Sequence, residues 1–206
     1  MKFSRLFIFA SLVALAGFIY FSLKGGMSEE EFATAIAKER KEKTDFLKND
    51  KGSPFATLTE EFKEPNYFKS DYNYRVNAKL IPIQNKKVIV LATSDGKEQK
   101  YLEYAHAIFT MGGVECKLLI LEVMEMGPLR GKLFLAFADE TSGKETYGGG
   151  RYLDIKKVPA ATSMVLDFNR AYNPYCAYND SYSCPFPPSA NVLKVAIRAG
   201  EMSYHE

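Results

Sequence analysis

The sequence predicts a mainly β fold, an antiparallel barrel or sandwich of about eight strands, preceded by an N-terminal transmembrane helix and a surface helix. Three observations predict it. After residue 65, short runs alternate apolar with polar side chains between turn residues, and no helical interval separates them. Before that point, a charge-rich stretch opens with a helix-capping signature. At the start, the 18 residues from Leu6 to Leu23 carry no charge, which is long enough to cross a bilayer.

The elements follow in chain order. Lys2 and Arg5 precede the apolar leader and assign its start to the cytoplasmic side. Lys24, Gly25 and Gly26 end it. A signal-peptide core usually runs about 7 to 15 residues, and no small-x-small cleavage site follows, so residues 1–26 read as an uncleaved anchor. The chain is then a single-pass inner-membrane protein whose domain lies on the extracytoplasmic (periplasmic) side; the alternative, a signal segment cut at an atypical site, releases the domain to the periplasm. Residues 27–52 form an amphipathic charged helix and linker. Ser28 and Glu31 make the capping box, while Phe32, Ala35, Ile36, Phe46 and Leu47 give a thin apolar stripe. The charges from Lys38 to Lys43 read as a solvated face.

Residues 53–206 form the β-rich domain. Tyr72, Tyr74, Val76, Ala78 and Leu80 alternate in YNYRVNAKL, and KKVIVLAT follows. Asp95 and Gly96 favour a tight hairpin into EQKYLEYAHAIFTM. Gly112 and Gly113 turn the chain into VECKLLILEVM, and Gly127-Pro128 separates that run from GKLFLAFAD. RYLDIKK, SMVLDFN and NVLKVAIRA complete the strands. With 47% apolar and 14% aromatic residues the chain can fill a core. Its 27 basic residues nearly balance 25 acids, which argues against nucleic acid as a partner, because phosphate binding needs a basic face.

Function points to the stretch from Asp139 to Pro188, which holds more polar and aromatic residues than turns between strands require. Gly148, Gly149 and Gly150 offer backbone N–H groups that can converge on an anion, with the planar fork of Arg151 beside them. No P-loop signature accompanies them, and a tight loop closing the sheet is the plain alternative. The candidate ligand-binding residues are Thr141, Ser142, Tyr147, Gly150 and Arg151 in the first loop, and Asn169, Arg170, Tyr172 and Asn173 in the second. Both loops are expected at one mouth of the sheet, around a small polar or anionic molecule.

The histidines, His106 and His205, lie outside this stretch. An enzyme would therefore use carboxylates, with Asp139, Glu145 and Asp167 supplying acid and base. Acids beside arginines also make ion pairs that lock loops. Cys176 and Cys184 stand eight residues apart, a spacing that suits a disulfide and, without a second pair, no zinc site. Cys116 reads as a buried free thiol. No metal site is implied, the sequence leaves any cofactor open, and the partners expected are the membrane, through residues 6–23, and the small polar or anionic molecule.

The segments DETSGKETYGGGRYLD, LDFNRAYNPYCAY, CPFPP and NVLKVAIRAGE together resemble the bacterial family known as domain of unknown function 1684, over about Lys43 to Tyr204. The resemblance implies one family domain behind a membrane leader, and it implies no mechanism. Three functions are compatible with these residues: a ligand-binding domain, a carboxylate-based hydrolase using the same cleft, and a structural envelope protein.

Overall fold

The computed structural model describes residues 27–59 and 61–205. The leader, with its expected transmembrane helix, lies outside them. Among the described residues no helix is long and apolar enough to cross a membrane.

Helix α1 spans Glu29–Asn49. The Glu31 N–H donates to Ser28 Oγ at 3.1 Å and the Ser28 N–H donates to Glu31 Oε2 at 2.8 Å, which closes the capping box. Three acids in the first turn meet the positive end of the helix dipole. Phe32, Ile36 and Leu47 are buried against the domain. Arg40 and Lys43 fall on that same stripe by helical spacing, and both are half-buried.

Among the described residues eight strands follow: β1 Arg75–Pro82, β2 Val88–Ala92, β3 Glu98–Met111, β4 Val114–Val123, β5 Leu133–Phe134, β6 Ala136–Phe137, β7 Arg151–Tyr152 and β8 Ser163–Asp167. Six of them form one antiparallel sheet in the order β5-β4-β3-β1-β8, with β2 also paired to β3, while β6 and β7 form a separate pair. Of the two expected forms, barrel or sandwich, a closed barrel does not occur among the described residues, because the edge strands β5 and β8 do not pair with each other. GKLFLAFAD explains why. Its β5 part pairs with β4 only through Phe134 and Leu133, then the chain leaves the sheet at Leu135 to pair with β7.

Strand β3 organises the sheet. Its first part pairs with β2 and its second part with β1, while β4 runs along its other edge. A bulge between Glu103 and Ala105 exchanges the two faces. Beyond it Ala107, Phe109, Leu118 and Ile120 join the main core; before it Tyr101 packs with Leu91, Leu119 and Leu121 in a smaller cluster. The hairpin to β4 turns on Gly112 and Gly113, at φ +56° and +80°, a pair of left-handed residues that suits a two-residue turn.

The layer that covers the main core is mostly irregular chain. RYLDIKK contributes only the two residues of β7, and NVLKVAIRA, expected as the last strand, forms only isolated bridges such as Ala138–Val192. Side chains replace the missing ladder. The Asn191 amide accepts from Leu119 N at 2.6 Å and donates to Leu119 O at 2.9 Å and to Ala136 O at 2.8 Å, so it reproduces a rung of sheet along the free edge of β4. Arg151 does the same further on, donating to the carbonyls of Ile197, Ala199 and Glu201.

Candidate functional site

The first loop is closed on itself. Asp139 Oδ1 accepts from the Thr141 N–H at 2.8 Å and the Thr141 hydroxyl at 2.6 Å, and Ser142 Oγ accepts from the Asp139 N–H at 3.1 Å. Thr141 also meets Thr146 at 2.9 Å. Gly150 has φ +84°, and a Cβ there would lie 2.5 Å from Pro187 Cγ and 2.7 Å from the Phe137 carbonyl. Close backbone packing is thus the physical reason for this glycine. The Tyr147 ring lies against Gly149, where an added Cβ would fall 2.5 Å from it.

Arg151 is fully buried. Its guanidinium pairs with Asp139 at 2.8 Å, with neither side chain exposed, and its two terminal nitrogens also donate to three carbonyls of the C-terminal segment, while Nε is buried without a partner among the described residues. Where the sequence suggests an anion ligand, the structure places Arg151 inside the protein, with both terminal nitrogens of its fork bonded there. The three candidate acids are likewise each matched to a different arginine. Asp139 holds Arg151, Asp167 holds Arg170, and Glu145 holds Arg198 at the surface. None of the three acids lines the groove described below, so they share no cleft there.

The second loop does border open space. A groove of about 1470 Å³ runs between α1, the 124–133 loop and the residues from 169 to 185. Asn169, Arg170 and Tyr172 line it, whereas Asn173 and the first-loop candidates do not. The two loops meet away from it, with Tyr147 against Cys176 at 3.8 Å and Gly149 against Phe186. Within the groove wall, Asn169 is tied to the Asp71 backbone by two bonds of 2.8 Å. Arg170 grips Glu39 of α1 through two 2.7 Å bonds. The Tyr172 hydroxyl donates to Asp154 at 2.7 Å. Asn173 lies behind the wall and donates to Glu201 and to Met202 O.

Four further residues shape this region: Tyr67 and Glu201, which no motif singles out, and Arg40 and Lys43, which the sequence assigns to a solvated face but the structure half-buries. Arg40 and Lys43 interrupt the apolar stripe of α1 at positions where a core residue belongs, and that was the available signal. Arg40 stacks on Tyr67 at 4.6 Å and donates to Phe68 O at 2.9 Å, leaving Nε buried with no partner among the described residues. The Tyr67 hydroxyl is likewise buried with no partner among the described residues. Burial, then the nearby Glu201 carboxylate, push this phenol well above the ordinary tyrosine range, so it remains an O–H donor. Lys43 bonds the fully buried Glu201 at 2.7 Å and stands 4.7 Å over the Tyr172 ring. Glu201 accepts further bonds from Tyr178 and Asn173.

His106 sits within β3 opposite Leu119 and does not line the groove. Burial, with help from Lys117, lowers its pKa.

No curated protein matches the chain. Among solved structures, an uncharacterised protein from Haloarcula marismortui, determined by solution NMR, is similar to it with 34% sequence identity and a TM-score of 0.64, over 86% of this chain and 97% of that one. A family model matches residues 60–202, a narrower span than the motifs alone implied. The motifs of the 139–201 region and this match together establish that the chain belongs to the family described as Protein of unknown function (DUF1684).

Proposed function

We propose that the domain binds a small anionic ligand, with a carboxylate or phosphate group, in the groove between α1 and the loop from Asn169 to Pro185. One observation carries this reading. Arg40 Nε and the Tyr67 hydroxyl are neighbouring buried donors on the groove wall, and neither has an acceptor among the described residues. Buried donors are normally satisfied, and the oxygens of an anion satisfy both. The surroundings support the same sign, since Arg40, Lys43, Lys132, Lys156, Lys157 and Arg170 line the groove against Glu39, Glu125 and Asp154. Tyrosine rings of residues 152, 172, 175 and 182 offer flat apolar faces to the remainder of such a ligand.

Tyr67→Phe tests it. Removing a hydroxyl that bonds nothing in the free protein is expected to leave the melting temperature unchanged or slightly raised. Losing a hydrogen bond to a charged acceptor, about 1.5 to 3 kcal/mol, is expected to weaken binding at least about tenfold. Calorimetric titration with a panel of carboxylates and phosphates reads both effects; unchanged affinity for a ligand that the native chain binds would sink the proposal.

The leader supports a location. Eighteen uncharged residues precede a domain whose family match begins only at residue 60, and we propose that they tether it to the inner membrane on the extracytoplasmic side. Alkaline carbonate washing is expected to leave the full chain in the membrane pellet. Its release to the supernatant contradicts the tether.

A further inference from the structure

Cys184 lines the groove beside Ser183 and Pro185, whereas Cys176 does not, and the two are held close together across the loop between them. Both are buried free thiols. The Cys176 N–H donates to Cys184 Sγ at 3.3 Å, which brings the Cys184 sulfur against the backbone of Cys176. Each is fixed from outside the loop they enclose. Cys176 lies in a 3-10 turn that follows Pro174, with the Tyr147 hydroxyl 3.8 Å from its sulfur. Cys184 is clamped to the β2–β3 hairpin, donating to Ser94 Oγ at 3.1 Å and accepting from the Ser94 N–H at 2.9 Å. Pro185 then stiffens its exit.

We propose that Cys176 and Cys184 are a dithiol–disulfide pair, oxidised by exchange with a small or protein disulfide. Closing the bond needs only a short approach of two sulfurs whose backbones are already anchored. Cys116 is excluded, because it lies on β4 in the main core. The order of attack follows from the donors. The Cys184 thiol first, with the Ser94 and Tyr147 hydroxyls, stabilises a thiolate on Cys176 and lowers its pKa, while the same contact and burial raise that of Cys184.

The exchange runs in two steps. The Cys176 thiolate attacks one sulfur of the incoming disulfide and expels the other as a thiolate, giving a mixed disulfide. Cys184 then loses its proton and attacks the Cys176 sulfur, which forms the Cys176–Cys184 bond and expels the second thiolate. Two protein thiols are oxidised, one disulfide is reduced, and the two protons finish on the released thiols. The bond encloses Tyr182 and Ser183, which line the groove, so it braces that wall whether or not an anion binds there.

The test uses the full chain equilibrated with oxidised and reduced glutathione, quenched by alkylation and mapped by mass spectrometry. Peptides bridging Cys176 and Cys184 are expected, with Cys116 alkylated only after denaturation. Cys184→Ser is expected to trap glutathione on Cys176. Thermal unfolding of the oxidised native chain is expected about 5 °C above the reduced one. Both thiols free under strongly oxidising ratios, bridges to Cys116, or no adduct in Cys184→Ser would each overturn the pairing. The native-chain mapping decides the matter even where the variant folds poorly.

Discussion

Arg151→Ala is expected to be among the most damaging single substitutions in the domain, although the sequence presents this residue as a ligand-binding arginine. The side chain is fully buried and pairs with a fully buried Asp139. Truncating it strands that carboxylate and removes the donors of three carbonyls between Ile197 and Glu201. Breaking a buried pair by removing one partner costs about 3 to 5 kcal/mol, which lowers the melting temperature of a domain this size by about 10 °C. Arg151→Lys is expected to recover little of it, because an ammonium cannot span the carboxylate and three carbonyls that the planar fork reaches. Thermal unfolding followed by circular dichroism checks both. A fall under about 2 °C for Arg151→Ala would return the arginine to solvent and to a ligand role.

Glu201→Ala is expected to have a comparable effect with a different geography. Glu201 is fully buried, bonds Lys43 of α1, and accepts from Tyr178 and from the backbone and side chain of Asn173. Its loss leaves the Lys43 ammonium half-buried without its counter-ion and unties the helix from the domain, at a cost of about 3 to 5 kcal/mol. Backbone amides of Glu29–Asn49 are then expected to exchange with solvent well before those of β3 and β4, whose ladder Glu201 does not touch. Hydrogen exchange read by mass spectrometry distinguishes this from uniform destabilisation. Equal acceleration in the helix and the sheet would show that Glu201 holds the whole domain rather than the helix.

The strands β1 to β4 are legible from local rules: alternation of apolar residues in β1 and in the second part of β3, short apolar runs in β2 and β4, and glycines where a turn needs positive φ. The capping box of α1 was legible for the same reason, since Ser28 and Glu31 are three residues apart. What escaped the sequence is long-range polar substitution. NVLKVAIRA has the composition of a strand, yet its backbone is held by the side chains of Asn191 and Arg151 rather than by a neighbouring strand. No periodicity announces that. The same blindness applies to buried ion pairs. Arg151 and Asp139 look like binding chemistry because they are polar and clustered, and they are buried because they satisfy each other. Arg40 and Lys43 look like a solvated face among other charges, and they point to the groove because the partner of Lys43 lies 158 residues away at Glu201.

The most direct measurement is an NMR titration of the isotopically labelled protein with inorganic phosphate and with benzoate, following backbone amides and arginine Nε–H resonances. Saturable shifts are expected at Arg40 to Lys43, Tyr67 and Asn169 to Tyr172, with the amides of Thr141 to Arg151 unmoved. Shifts centred on Gly148 to Arg151, or an Arg40 Nε–H resonance indifferent to an anion that does bind, would contradict the groove as the binding site.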